Sequence, residues 1–221
     1  MNELADNAEF SGYLGAQMRW FYDDPIDPRQ DDAVVAFSFE PEWYTQWNNG
    51  DDALTFKPFL RLDTVDSERS HFDIRELYWL HAHSGWEFGV GISKVYWGVT
   101  ESQHLVDIVN QTDLVEAPDG EEKLGQPMLR VSTVRDWGIV DVFLLPGFRE
   151  RTFPGKDGRL RGALPIDADA VQYESAAEEN HVDVAARWNN SFGAVDIGLS
   201  HFLGTSRDPL LLPVSAAGCL L

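Results

Sequence analysis

The chain reads as all-β: an up-and-down antiparallel transmembrane β-barrel, incomplete, with about nine to ten strands. Three observations predict it. Period-two alternation of apolar and polar residues recurs over segments of ~9–12 residues. The connections between these segments alternate between short turns and long loops. Charges of both signs fall on the face opposite the apolar one.

The first segment, 9–22, sets Phe10, Gly12, Leu14, Ala16, Met18 and Trp20 against Ser11, Tyr13, Gly15, Gln17 and Arg19. The second, 33–47, sets Val35, Phe37, Phe39 and Trp43 against Ser38, Glu40, Glu42 and Tyr44. Pro41 interrupts it, which counts against a central place in a sheet. The third, 53–64, sets Leu54, Phe56, Leu60 and Leu62 against Thr55, Lys57, Arg61 and Asp63. In the fourth, 71–82, Phe72 and Ile74 oppose His71, Asp73 and Arg75. Glu76, Leu77 and Trp79 then break the parity, which predicts a bulge near Arg75-Glu76. The fifth, 86–97, sets Trp86, Phe88, Val90 and Ile92 against Glu87, Gly89, Gly91 and Ser93. The sixth (128–136), seventh (138–147), eighth (181–189) and ninth (194–203) follow the same pattern, with Arg130, Asp141, Arg187 and Asp196 on the polar side. Residues 1–8 read as a lead-in, 9–203 as the barrel strands, and 204–221 as a tail or a truncated next strand.

Asn48–Asp52, His83–Gly85, Arg135–Gly138 and Asn189–Gly193 are short and turn-like. The alternate connections are longer: 23–32, 65–70, about thirty residues after Trp97 and about thirty after Phe148. An up-and-down barrel in an outer membrane sorts its loops this way, whereas a Greek-key sandwich has no reason to. A bilayer core offers no water, so only a closed barrel pairs every backbone donor. In such a barrel Arg19, Lys57, Arg61, Asp63, Asp73, Arg75, Glu87, Arg130, Asp141, Arg187 and Asp196 line the pore. Trp20, Trp43, Trp86 and Trp188 lie near strand ends, where an aromatic girdle belongs. A soluble β-barrel or sandwich explains the alternation equally well, but neither the loop parity nor the tryptophans.

The formal net charge of -20 and pI near 4.4 argue against nucleic acid as a partner. The acids crowd into the loops at 23–32, 49–52, 113–122 and 174–179. The one cysteine, Cys219, leaves no disulfide framework and no metal or redox pair. No run of ~18 apolar residues offers a transmembrane helix. The start, MNELADNAEF, has no signal-peptide pattern, so an exported protein would be a mature form or a fragment.

Enzyme motifs are missing: there is no GxSxG, HExxH or Walker glycine loop. His81 and His83 share one strand face without an evident third zinc ligand. Asp73 and Glu76 could form an acid/base pair, but read better as partners balancing Arg75 in a cross-strand charge ladder. The acidic loop 23–32 lacks the glycine and glutamate of a calcium-binding hand. The expectation is no enzyme, no cofactor and no metal.

The stretch Trp86–Asp113 ends its strand at Trp97-Gly98 and opens a long acidic connection. Thr100 as N-cap and Gln103 three residues on suggest a short helix there. GISKVYWGVTESQHLVDIVNQTDL resembles a segment of Gram-negative outer-membrane channel proteins of the porin and alginate-export-like group. There a strand ends in Trp-Gly, and the loop carries an Asp, a hydrophobic pair, Asn and a further Asp. Here these are Trp97, Gly98, Asp107, Ile108, Val109, Asn110 and Asp113. The preceding IRELYWLHAHSGWEFGVG, with Arg75, Glu76 and Tyr78, is similar to the strand before it in that group. The close match covers about 45 residues. Barrels of the group end in a strand with a terminal aromatic and have an even number of strands; the ending LLLPVSAAGCLL and nine strands depart from both and suggest the N-terminal part of a longer protein.

The resemblance implies a bacterial outer-membrane location and a transport role. The expected function is a porin-like channel for small polar solutes, with outer-membrane lipid and lipopolysaccharide as surroundings and the loop 99–127 as its constriction. A soluble β-module binding carbohydrate or another small ligand is the alternative, and an outer-membrane enzyme ranks last.

Overall fold

The structure, a computed structural model, describes residues 7–97 and 107–213. The alternation folds as read. Nine strands form one antiparallel sheet in chain order: β1 (Ala8–Trp20), β2 (Ala33–Trp47), β3 (Asp52–Asp63), β4 (His71–His83), β5 (Trp86–Ser93), β6 (Gln126–Arg135), β7 (Gly138–Pro146), β8 (Val182–Phe192) and β9 (Val195–Leu203). Only single 3-10 turns interrupt the connections among the described residues. The sheet is not closed into a barrel: β1 and β9 are its two edges.

The connections at one end are Asn48–Asp51, Ser84-Gly85, Asp136-Trp137 and Gly193-Ala194. Those at the other are 21–32, 64–70, 94–125 and 147–181. The sorting follows from the meander, because every odd-to-even connection leaves from the same end.

The two faces are inverted relative to a water-soluble sheet. On the apolar face Leu14, Met18, Phe72 and Leu199 are 84%, 68%, 65% and 64% exposed. A soluble sheet hides such a face against a core. By the registers, only Asp52 and Arg135 among the strand residues of this face are charged, both at the short-turn end. Trp43, Trp47, Trp79, Trp86 and Trp188 of the same face also gather toward that end. There the Asp52 carboxylate accepts from Asn48 Nδ2 (2.5 Å) and Trp79 Nε1 (3.0 Å) and meets His81 Nδ1 at 2.9 Å. The polar face is the covered one. It buries Arg75, Asp141 and Asp183 with Phe59, Met128, Phe143 and Leu145.

Two irregularities have local causes. Lys57 pairs with Glu76 but Pro58 with Ile74, so Arg75 is an extra residue in β4. This is the bulge the broken parity predicts, and it puts both Arg75 and Glu76 on the polar face. Pro41, contrary to expectation, lies in an interior strand. Pairing of β2 with β3 is interrupted between Phe39↔Leu60 and Trp43↔Phe56, and there the register sets Pro41 level with Pro58. Neither proline has an N–H to leave unpaired. Lys57 bridges the gap, reaching Glu40 at 3.1 Å and Glu42 at 3.4 Å. On the β1 side Gly12 faces Pro41, and a Cβ on Gly12 would lie 2.8 Å from the proline Cα.

A third difference is the end of β5, which stops at Ser93 rather than Trp97. The alternation changes phase there, Val95 and Trp97 falling on the parity of Glu87 and Ser93, and the backbone is taken by a side chain: Val95 N–H donates to Asn110 Oδ1 (2.8 Å). The chain turns onto the polar face at Lys94. The helix expected at Thr100–Gln103 lies outside the described residues.

Gly91 shows what the tightest part of the sheet requires. Its φ is +136°, and a Cβ there would collide with the Leu77 carbonyl. Gly91→Ala is expected to lower stability by about 1–3 kcal/mol, the cost of one strained backbone position, or more if the β4/β5 ladder shifts. Denaturant unfolding followed by tryptophan fluorescence measures it.

Candidate functional site

The residues from Asp107 to Gly125 lie as a strap across the polar face. Its fold begins with Asn110. Besides accepting from Val95, Asn110 donates through Nδ2 to the carbonyls of Ser93 and Leu124, both at 2.9 Å. One amide thus ties the exit of β5 to the end of the strap. Within the strap, Asp113 N–H donates to Glu122 (2.9 Å) and Leu124 N–H to Gln111 (2.8 Å). Asp107 accepts the Trp97 N–H. Trp97 is buried, with Val109, Met128, Phe143, Leu145 and Ala185 in a small apolar cluster under the strap. Its ring lies 5.6 Å from that of Phe143. Of the motif read from the sequence, Trp97, Asp107, Asn110 and Asp113 therefore fold the strap; Gly98 lies outside the described residues.

Ionic contacts hold the strap to the sheet. Arg75, thrown inward by the bulge, sits over the Phe59 ring at 4.3 Å. It reaches Asp113 at 3.2 Å and Glu122 at 3.0 Å. The Arg75 and Asp113 side chains are 3% and 1% exposed, so water does not screen the pair. Lys94 meets the same Glu122. Arg61 of β3 reaches Glu116 at 2.6 Å, and His71 lies 3.6 Å from that carboxylate. Arg69 donates to the Val115 carbonyl. From the far side Arg187 Nη1 donates to the Trp97 carbonyl (2.6 Å) and Arg207 Nε to that of Val109 (3.0 Å).

The connection 147–181 packs beside the strap. Thr152 Oγ1 donates to Asp113 Oδ1 at 2.7 Å. Arg149 donates to Asp73 Oδ1 (2.9 Å) and to the Gly125 carbonyl (2.7 Å). A cleft of about 690 Å³ remains at this end, lined among others by His71, Asp73, Asp113, Arg149, Arg151 and Thr152. Both charge signs line it, so it offers donors and acceptors to a polar solute.

Every candidate pore-lining residue lies on the polar face: Arg19, Lys57, Arg61, Asp63, Asp73, Arg75, Glu87, Arg130, Asp141, Arg187 and Asp196. The charge ladder differs from expectation. Arg75 is balanced by the strap acids rather than by Asp73 and Glu76, and Asp73 goes to Arg149. The bulge is the reason, since it advances Arg75 beyond its strand neighbours. Arg130, by contrast, finds Asp141 on the next strand at 2.7 Å. Glu116, Glu122, Arg149, Arg151 and Arg207 also belong to the site and carry no local sequence signal. Among the described residues no group of three metal-binding side chains occurs, and His81 is turned to Asp52.

The remaining long loops clasp one another. Asp66 accepts the Gly155 N–H on both oxygens at 3.1 Å, and burial pushes its carboxyl up against that pull. Asp27 holds Arg29 at 2.6 Å and Arg161 at 3.1 Å, and these guanidiniums, Arg29 first, keep its carboxyl well below the usual range. A depressed carboxylate contributes stability above its unfolded pKa of ~3.9 and loses it as pH falls through the folded value. Protection against hydrogen exchange in 21–32 and around Arg161, taken relative to the intrinsic rate at each pH, should therefore fall as pH drops below ~4. Asp27→Asn should remove most of that acid dependence.

Truncating Arg75 leaves the Asp113 carboxylate buried without its cation. Arg75→Ala is expected to cost about 3–5 kcal/mol. The loss should appear as faster hydrogen exchange in 107–125 before β6–β8 are affected.

No family model, no curated protein and no solved structure matches the chain.

Proposed function

We propose that the chain forms the wall and the constricting loop of an outer-membrane, porin-like channel for small polar solutes. The observation that carries this reading is the inverted sheet. The apolar face is exposed and almost free of charge, and the charged face is covered by the strap. Lipid solvates the first face, and a wet lumen solvates the second. Five of the six strand tryptophans on the apolar face gather where the short turns would meet the membrane interface, and Trp20 stands at the long-loop end. The long-loop end then faces outward, with the cleft as its vestibule.

The strap narrows the lumen in this reading, and its chemistry sets the filter. Asp113, Glu116 and Glu122 are ion-paired to Arg61 and Arg75, which pins the strap to the wall, so a solute passes beside paired charges of both signs. Opposed charges orient dipolar solutes and disfavour apolar ones, which lose their water without gaining partners.

Two measurements test the reading. The protein should fractionate with outer membranes and need detergent for extraction; a folded, monodisperse chain without detergent would sink the channel and leave a soluble binding module. The membrane-extracted protein should conduct ions in planar bilayers. Replacing Arg61 and Arg75 together by glutamine should free the strap, raise single-channel conductance and shift selectivity toward cations. Unchanged conductance and selectivity would remove the strap from the conduction path.

A further inference from the structure

Two neighbouring charges at the short-turn end lack ionic partners. Of the two charged strand residues on the apolar face, Asp52 is satisfied by Asn48, Trp79 and His81. Arg135, the last residue of β6, is not: among the described residues it forms no ion pair. Its Nη1 donates to the carbonyls of Gly85 (2.6 Å) and Val134 (2.8 Å), which anchors the guanidinium and leaves Nε and Nη2 unbonded. Asp136, the first residue of the following turn, has neither an ion pair nor a hydrogen bond among the described residues. Both residues are exposed, and they do not pair with each other.

The surroundings are fixed and aromatic. The Gly85 carbonyl also accepts from Val134 N–H (3.1 Å) and Thr133 Oγ1 (2.9 Å), so it braces two turns together. The Trp137 carbonyl accepts from Trp188 Nε1 (3.0 Å), which ties the second turn to β8. Trp86 pairs with Thr133, two residues before Arg135 on the same face, and Trp137 follows Asp136; both rings are exposed. His83 stands against Trp86, with ring centroids 5.7 Å apart.

A free cation at the rim of an uncharged face, with a free anion one residue farther from the middle of the sheet, matches one headgroup chemistry. In a phospholipid the phosphate lies next to the acyl chains, and an amine esterified to it lies farther out. A guanidinium gives a phosphate charge-assisted hydrogen bonds, and an ammonium gives them to a carboxylate. Tryptophans at this level sit among headgroups. A headgroup with phosphate as its one charge would satisfy Arg135 but bring a like charge to Asp136.

We infer that the Arg135-Asp136 turn docks a zwitterionic phospholipid headgroup, a phosphate diester carrying a primary ammonium. The phosphate meets Arg135 Nε and Nη2, the ammonium meets Asp136, and the acyl chains lie on the apolar face beside Trp86 and Val131. The inference rests on the membrane reading, because a bilayer is what brings acyl chains to that face.

The test uses the full chain extracted in non-ionic detergent. It is titrated with dioleoyl phosphatidylethanolamine, dioleoyl phosphatidylglycerol or dioleoylglycerol, and bound lipid is counted by native mass spectrometry. Phosphatidylethanolamine should be retained about threefold better than phosphatidylglycerol, the effect of one exposed ion pair. Dioleoylglycerol should stay at background. Arg135→Gln should cut retention of both phospholipids about fivefold, the effect of one interfacial cation. Arg135→Lys, which keeps the charge and a donor for Gly85, should retain most of it and so separates lost binding from a loosened turn. Asp136→Asn should abolish the preference without weakening phosphatidylglycerol. Equal retention of the two phospholipids by the unaltered chain would overturn the inference. So would retention that survives Arg135→Gln, or displacement of the lipid by inorganic phosphate, which would show an anion site indifferent to the headgroup. A chain that folds without detergent would sink the channel and this site together. A chain that fractionates with outer membranes but shows none of these differences sinks the site alone.

Discussion

One inserted residue decides how the polar face is used. Without a bulge, Arg75 would alternate to one side of β4 and Glu76 to the other. The shift between Lys57 and Pro58 puts both on the polar face and pushes the guanidinium above the Phe59 ring. From there it reaches two strap carboxylates. A charge this deep is tolerable only when paired, so the strap and the bulge require each other. Pro58 sits beside the shift, where a missing N–H costs the β3/β4 ladder least.

The rest of the polar face follows the same logic. Its apolar cluster is small, six side chains around Trp97 and Phe143, and cannot by itself fix a strap of this length. Asn110 supplies the geometry, through three bonds to backbone atoms on either side of the strap. Arginines supply the attachment, from β3, β4 and β8 and from the segments at 69 and 207. Arginine suits this because its planar fork serves a carboxylate and a carbonyl together and stacks on rings at the same time. Arg207 does all three, with Asp183, Val109 and the rings of Phe148 and Phe202.

The strands were legible in the sequence because period two is a local signal, with apolar residues kept to one face and charged ones to the other. The bulge was legible for the same reason: Glu76, Leu77 and Trp79 fall out of step. The end of β5 was marked only by a change of phase, Val95 and Trp97 falling on the opposite parity to Trp86 and Ile92, while the group that takes the backbone away, Asn110, lies fifteen residues on. Pro41 misled in the opposite sense, since the β2/β3 pairing is simply interrupted at Pro41, level with Pro58, and resumes at Trp43↔Phe56. Partners such as Arg149 with Asp73 or Arg207 with Val109 lie 76 and 98 residues apart. No spacing rule reaches that far; only the meander, which stacks all the long loops at one end, brings them together.

That stacking explains why a chain with a net charge of -20 keeps arginines on its polar face. Acidic loops gathered at one end repel one another, and the repulsion grows with each loop added. Arginines from the strands and from the 148–161 segment stand between them: Arg61 against Glu116, Arg149 against Asp73, Arg161 against Asp27. These three cations are used within the loop layer, while acids such as Asp23, Asp24 and Asp31 face the solvent. The polar face is therefore nearly balanced where it is covered and negative where it is open. In the channel proposed for this chain, a solute approaching from the long-loop end would meet the excess negative charge first and the paired charges at the strap afterwards, so that attraction and selection would be separate steps set by different residues.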